Sequence, residues 1–256
     1  MPGPMPLTPS FRLDGRRALV AGAGRGIGAA AALALAEAGA HVTLAARSRT
    51  ELEAVAATIR ERGGQAGVLV LDVTDSKAVA RELAALGPLQ VLVNSAGTNR
   101  PALLTETPDA HLDLVLDLNV KAAFYLAREV ARGLLAARLP GSIITISSQM
   151  GHVGGPKRTV YCATKHAVEG MTRALAWELG LAGIRVNTLC PTFIETAMTA
   201  PMFADPAFRE FVTARIALGR IGQPQDIMGA VVFLAGDAAA LVTGSALMVD
   251  GGWTAA

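Results

Sequence analysis

The sequence predicts an α/β fold: a doubly wound parallel sheet of about seven strands, with helices on both faces. Two observations carry this reading. Short apolar runs alternate with longer helical runs from Arg17 to Val249. Strands joined by helices imply parallel βαβ units, and short apolar strands suit a sheet covered on both sides. Right-handed crossovers then favour the doubly wound arrangement. A third observation bounds the organisation: no break in composition marks a second domain, so one domain over 11–256 is expected, after a flexible lead over 1–10.

The elements follow in order. Arg17 to Ala21 reads as the first strand and Ile27 to Ala38 as an Ala/Leu-rich helix closed at Gly39, a C-cap signal. His41 to Ala46 is the second strand, and Thr50 to Arg62 a helix stopped by Gly63 and Gly64. Gly67 to Leu71 is the third strand, Ser76 to Leu86 a helix, and Leu89 to Val93 the fourth strand. One long helix is expected from Pro108 to Leu139, with Pro108 in its first turn. Ser142 to Ser147 is the fifth strand, Arg158 to Leu181 a helix, and Ile184 to Leu189 the sixth strand. A Pro- and Met-rich stretch, Pro191 to Phe211, interrupts the rhythm before a helix near Pro224 to Ala235 and a last strand at Ser245 to Val249.

The composition excludes several classes of function. Hydrophobic residues make up 52% of the 256 and charged residues 17%, which is not a disordered chain. A net charge of +2 with no dense run of Lys or Arg gives no electrostatic footprint for nucleic acid or a membrane surface. The first ten residues lack a basic region followed by an apolar run, and no apolar stretch reads as a membrane span, so the cytoplasm is the expected location. Cys162 and Cys190 form no disulfide framework and no metal-ligand spacing; both are expected as reduced, buried small residues, and no metal is expected.

The turn after the first strand, Gly22-Ala-Gly24-Arg25-Gly26-Ile27-Gly28, runs into the Ala-rich helix. Glycines there let backbone approach a pyrophosphate, and the helix N-terminus offers free N–H donors and partial positive charge. Strict G-x-G-x-x-G fails from Gly22, and the spacing Gly22-xxx-Gly26-x-Gly28 fits better. Tight turns use glycine for structure alone, but here a strand precedes and a helix follows, as a Rossmann-type nucleotide site requires. An NAD-type site wants a carboxylate at the end of the second strand for the ribose 2′-OH. Ala46 stands there, followed by Arg47, with Arg25 in the glycine turn. Two guanidiniums beside a 2′-phosphate favour NADP(H), with NAD(H) possible; the alternative is two solvated surface arginines.

Tyr161 and Lys165 lie four apart at the start of a helix, which puts both on one face. A free phenol has a pKa of about 10, too high for ready proton exchange at neutral pH. An ammonium about 4 Å away contributes roughly 4 kcal/mol at an effective dielectric of 20. That is enough to bring the phenol down by two to three pKa units and make Tyr161 a general acid/base. A Tyr-x-x-x-Lys pair alone is common on solvated helices. Ser148, thirteen residues before Tyr161 at the end of the fifth strand, strengthens the reading, because carboxyl ends of strands bind ligands in doubly wound folds. Its hydroxyl suits a substrate carbonyl oxygen.

Taken with Asn94-Ser95-Ala96-Gly97, Asn119 and the Pro191 segment, these motifs resemble the short-chain dehydrogenase/reductase family from about Leu13 to Gly252. Its gluconate 5-dehydrogenase-like and 3-oxoacyl-carrier-protein reductase-like branches are resembled alike. The resemblance implies that Tyr161 exchanges the substrate proton, Lys165 lowers its pKa and holds the nicotinamide ribose, Ser148 orients the carbonyl, and Asn119 holds a water in a proton relay. It further implies that Asp72 and Val73 bound the adenine pocket and that Asn94, Ala96 and Gly97 support the cofactor. Pro191, the Ile194 backbone and Thr196 would then grip the carboxamide. Three positions depart from the family pattern: Ala21 for Thr, Ser95 for Asn, and Thr192 for Gly.

The expected substrate is a small carbonyl compound or alcohol, with Met150, His152, Val153, Phe193, Met198 and Met202 expected to line its pocket beside Ser148. The mixture of apolar bulk and a few polar groups suits a medium-sized ketone, keto-acid or sugar derivative; His152 reads equally as an ordinary loop histidine. The resemblance also implies a homotetramer, with a dimer next, and places Trp253 in an interface or a neighbour's pocket. A non-catalytic, cofactor-sensing protein on the same fold is the rival reading.

Overall fold

A computed structural model of the chain describes residue 5 and residues 7–255. The expected lead over 1–10 therefore falls partly outside the described residues; Met5 and residues 7–10 are exposed and carry no regular structure. Among the described residues, seven strands form one parallel sheet: β1 (Arg17–Ala21), β2 (His41–Ala46), β3 (Gln65–Val70), β4 (Val91–Asn94), β5 (Gly141–Ile146), β6 (Ile184–Pro191) and β7 (Ala246–Val249). Their order is β3-β2-β1-β4-β5-β6-β7. The chain winds outward from β1 one way and from β4 the other, so a crevice opens between those two strands at their carboxyl ends.

Side-chain alternation along the strands explains why both faces are covered. Ala18 and Val20 of β1 join the core with α1 (Gly26–Glu37), α2 (Arg49–Glu61) and a later helix, Gln225–Ala235. Leu19 and Ala21 point the other way, into a core with α3 (Ser76–Leu86) and the helix Ala122–Ala137. Strands buried on both faces are largely apolar, with exceptions such as Ser142 and Thr188 that are hydrogen-bonded, which is why they read as short apolar runs.

The long helix expected from Pro108 to Leu139 is three pieces: α4 (Asp109–Leu116), one π-helical turn (Asp117–Lys121) and α5 (Ala122–Ala137). Such π turns interrupt helices where a side chain must be re-aimed, and this one carries Asn119. After α5 and β5, α6 runs over Thr159–Leu179. The Pro- and Met-rich interruption contains α7 (Ala200–Phe203) and the start of α8 (Pro206–Thr213), and α9 is Gln225–Ala235. Asp205 caps α8 by accepting from Ala207 N at 3.0 Å, a local signal that proline content obscured. Among the described residues no helix is long and apolar enough to cross a membrane.

Candidate active site

The glycine turn is built by packing. A Cβ on Gly28 would lie 2.1 Å from the Gly22 carbonyl oxygen, so only glycine lets α1 cross this close to the end of β1. Gly22 itself has φ +77° and its backbone abuts Ser95 and Ala96, where an added Cβ would meet Ala96 N at 2.8 Å. At the start of α1, no side chain caps the helix and its first turn holds no acidic residue. The N-terminal end of the helix dipole is thus left for an exogenous anion, which fits a dinucleotide pyrophosphate. Gly26 faces Thr196, whose Cγ2 would lie 3.4 Å from a Cβ there, so the segment after β6 closes over the same turn. Thr199 Oγ1 shapes that segment, donating to Ile194 O at 2.6 Å and accepting from Thr196 N at 2.9 Å.

At the adenosine end, Ala46 closes β2 and Arg47 is exposed beside it. Arg25 is exposed too, with Nη1 3.6 Å from Glu51 Oε1. Asp72 accepts from Thr74 N at 3.0 Å and from its hydroxyl at 2.7 Å; these bonds, with nearby Arg47, hold its carboxyl below the usual range. Val73, expected at the adenine pocket, is buried in the core with Leu71 and Val79, so its side chain packs rather than lines. Asn94 is buried and turns the chain after β4, its Oδ1 accepting from Ala96 N at 3.1 Å.

Behind the crevice, Asn119 Oδ1 accepts from Thr98 N at 2.8 Å, and Nδ2 donates to Thr98 O and Thr164 Oγ1, both at 3.0 Å. Both amide protons are therefore spent on protein partners. The side chain clamps the loop after β4 to α6 one residue before Lys165, which is a positioning geometry. Gly97 sits between the two: a Cβ there would lie 3.3 Å from Asn119 Oδ1 and 3.9 Å from Lys165 Nζ.

Tyr161 and Lys165 share a face of α6, with Lys165 Nζ 5.4 Å from the phenol ring centroid. Nζ donates to Ile146 O at 2.9 Å, and burial lowers the ammonium pKa to about 8. The expected depression of the phenol by Lys165 is not met in this geometry. Burial pushes the Tyr161 hydroxyl above its ordinary value, opposed by a hydrogen bond with Ser148 and by the charge of Arg158. The reason is distance and engagement: the ammonium is turned to a backbone carbonyl. Ser148 is buried and its Oγ also accepts from Met150 N at 3.1 Å. Tyr161, Ser148, Lys165 and Asn119 thus converge at the carboxyl edge of the sheet, beside the glycine turn.

The comparisons with known proteins bear on this arrangement directly. Residues 22–254 match the family model described as enoyl-(acyl carrier protein) reductase. The chain is 38% identical over 248 residues to a gluconate 5-dehydrogenase of Gluconobacter oxydans, covering 95% of this chain and 96% of that protein. It is 42% identical over 244 residues to a 3-oxoacyl-(acyl-carrier-protein) reductase of Pseudomonas aeruginosa, covering 94% and 98%. The chain belongs to the short-chain dehydrogenase/reductase family. A solved member, a gluconate 5-dehydrogenase from Burkholderia cenocepacia J2315 in complex with NADP and tartrate, superposes with a TM-score of 0.92 at 36% identity over 96% of this chain and 98% of that one.

Within this short-chain dehydrogenase/reductase, the expected pocket lining is redistributed. Met150 and Val153 border the loop after Ser148, and Met202 reaches the same region, its sulfur 4.0 Å from Arg158 Nη2. Met198 is 59% exposed. Phe193 instead joins an aromatic cluster, its ring centroid 5.7 Å from Phe208 and from Trp253 and 6.1 Å from Phe203. Burying four rings together outweighs leaving one at a pocket wall. The same cluster occupies Trp253 within its own chain. His152 meets a polar pair: Nε2 lies 3.5 Å from Cys190 Sγ and 3.6 Å from Glu169 Oε1, and the Glu169 side chain is only 4% exposed. Cys190 donates to Glu169 Oε1 at 3.3 Å, and burial pushes its thiol up to about 12. This polar cluster, and Arg158 beside Tyr161, escaped the sequence reading. The helical spacing Lys165-xxx-Glu169 was the available signal for the first and the three-residue offset Arg158–Tyr161 for the second. Thr192 Oγ1 is buried without a hydrogen-bond partner.

Proposed function

We propose that this chain is an NADP(H)-preferring oxidoreductase that moves a hydride between nicotinamide and a ketone or secondary alcohol, with Tyr161 as general acid/base. The observation that carries the reading is the convergence of Tyr161, Ser148 and Lys165 at the carboxyl edge of the sheet, beside a glycine turn suited to pyrophosphate. A bound nicotinamide supplies or accepts the hydride. Tyr161 donates its proton to the carbonyl oxygen in reduction and takes it back in oxidation. Ser148 holds that oxygen and stabilises developing negative charge. Lys165, on the same face of α6 as Tyr161, holds the ribose, and Asn119 ties the loop after β4 to the helix that carries Lys165.

Relatives named for NADP and for gluconate support NADP(H) and a small hydroxylated carbonyl substrate. Exposed apolar groups such as Trp177, 89% exposed on α6, and Phe124 on α5 support a homotetramer, which sedimentation would read directly. The test of function follows nicotinamide absorbance with NADPH, then NADH, against ketones, keto-acids and oxidised sugars. Turnover that vanishes in Tyr161→Phe while NADPH still binds is the expected result. Tight NADPH binding with no turnover of any carbonyl or alcohol would favour a cofactor-sensing protein instead.

A further inference from the structure

Arg158 stands immediately before α6, three residues from Tyr161. It is partly buried, and burial pulls its guanidinium pKa below the ordinary value. Its neighbourhood is apolar: a Cβ on Gly155 would touch both Arg158 Cγ, at 3.5 Å, and Met150 Cε, at 3.0 Å. Among the described residues, its one side-chain hydrogen-bonding neighbour is the Met202 sulfur, 4.0 Å from Nη2. Eleven other arginines lie within 4.0 Å of a carboxylate, whereas among the described residues none does so for Arg158. A partly desolvated guanidinium with five donors and no acceptor is costly, and its fork matches a carboxylate in bidentate fashion.

The surroundings repeat the same sign. Lys157 precedes Arg158, and its carbonyl accepts from Ala102 N at 3.3 Å, which ties in the loop carrying Arg100. Glu195 and Glu169, on the segment after β6 and on α6, are engaged elsewhere. Glu195 is held by Arg209 at 3.0 Å and Gln223 at 2.8 Å, and Glu169 is turned into the Cys190–His152 cluster. Arg158, flanked by the Met150 and Met202 side chains, therefore stands about one helical turn, roughly 5 Å along the chain axis, from Tyr161.

We infer that Arg158 is a substrate-binding residue that holds the carboxylate of a short keto-acid or hydroxy-acid while Tyr161 and Ser148 hold its reacting oxygen. This rests on the oxidoreductase reading above and names the substrate class for that same site. Carboxylate and reacting carbon are separated by a few atoms, as in a keto-hexonate. The Met150 and Met202 side chains exclude water from the ion pair and strengthen it.

The test compares NADPH-dependent reduction of 5-keto-gluconate with that of the neutral ketohexose L-sorbose and of a ketohexose phosphate, in wild type, Arg158→Gln and Arg158→Lys. The expected result is a wild-type preference of 10-fold or more in kcat/KM for the acid. That preference collapses in Arg158→Gln chiefly through KM and returns in part in Arg158→Lys. An equal fall for acid and neutral ketose in Arg158→Gln would overturn the inference, since Arg158 would then act through the phenol. Wild type without preference for the acid, or preferring the phosphate, overturns it as well. Absence of turnover with all three compounds and with the wider carbonyl panel would instead sink the oxidoreductase reading on which it rests. NADPH binding by each variant shows that the fold is kept.

Discussion

Cofactor choice is the sharpest consequence of the adenosine end of the crevice. Replacing Arg47 by Ala removes an exposed guanidinium beside the end of β2, where Ala46 offers nothing to a ribose hydroxyl. One charge pair at about 4 Å is worth about 1 kcal/mol in water and roughly 4 at an effective dielectric of 20. The exposure of Arg47 sets the lower end of that range, and the near-double charge of a phosphate about doubles it. The loss is then about 2 kcal/mol, or roughly 30-fold, borne by NADPH and not by NADH. Arg25 contributes less, because its charge is shared with Glu51 at 3.6 Å; Arg25→Ala is expected to cost about threefold. Glu51 also leans on the turn, since a Cβ on Gly24 would meet its Oε2 at 2.9 Å, so Glu51→Gln raises NADPH affinity. The assay is the ratio of kcat/KM for NADPH and NADH with one ketone at low salt, where exposed charges are least screened. A ratio that changes less than threefold in Arg47→Ala would refute the electrostatic reasoning while leaving the catalytic groups untouched.

Three further outcomes follow from the geometry. Gly28→Ala forces a Cβ to within 2.1 Å of a backbone oxygen, so it lowers stability by about 3 kcal/mol and weakens cofactor binding; urea midpoints and NADPH titration check both. Lys165 has a folded pKa of about 8 against an ordinary 10.5, so the folded state binds fewer protons than the unfolded one between those values. The destabilisation from its buried ammonium is full below about pH 8 and is relieved as pH rises toward 10.5. Wild type should therefore gain on Lys165→Met in urea midpoint from pH 7 to 10, and a pH-independent difference would contradict this. Cys190, buried with its thiol at about 12, should resist iodoacetamide at pH 8 until the protein unfolds, whereas the partly exposed Cys162 reacts first; mass spectrometry of the labelled chain reads the order.

The sheet was legible because its central strands are buried on both faces, which leaves apolar runs such as Ala18–Ala21 and Val91–Val93 unbroken by polar residues. The glycine turn was legible because Gly22 and Gly28 answer to backbone contacts that no other residue satisfies. The π turn at Asn119 was not, because helical periodicity barely changes across one inserted residue, and what fixes it is the tertiary bond to Thr164. The packing partners of Phe193 and His152 were not legible for a related reason. These partners, Trp253 and the Glu169–Cys190 pair, are 60, 17 and 38 residues away in sequence, and nothing local announces them. The direction of the Tyr161 shift failed on geometry: helical spacing places Lys165 on the right face but does not say that its ammonium is given to Ile146 O.

That last difference has a chemical meaning. Burial acts oppositely on the two members of the pair, disfavouring the phenolate at Tyr161 and the ammonium at Lys165. A phenol kept protonated is ready as an acid, which is the state reduction of a carbonyl needs. Oxidation of an alcohol needs the phenolate, and the groups that draw the phenol down in this structure are Ser148 and Arg158. If Arg158 holds a substrate carboxylate, that anion offsets the guanidinium's pull on the phenol, so a bound acid further favours the protonated state. The same residue thereby couples recognition of the substrate's charge to the direction in which the proton is poised to move.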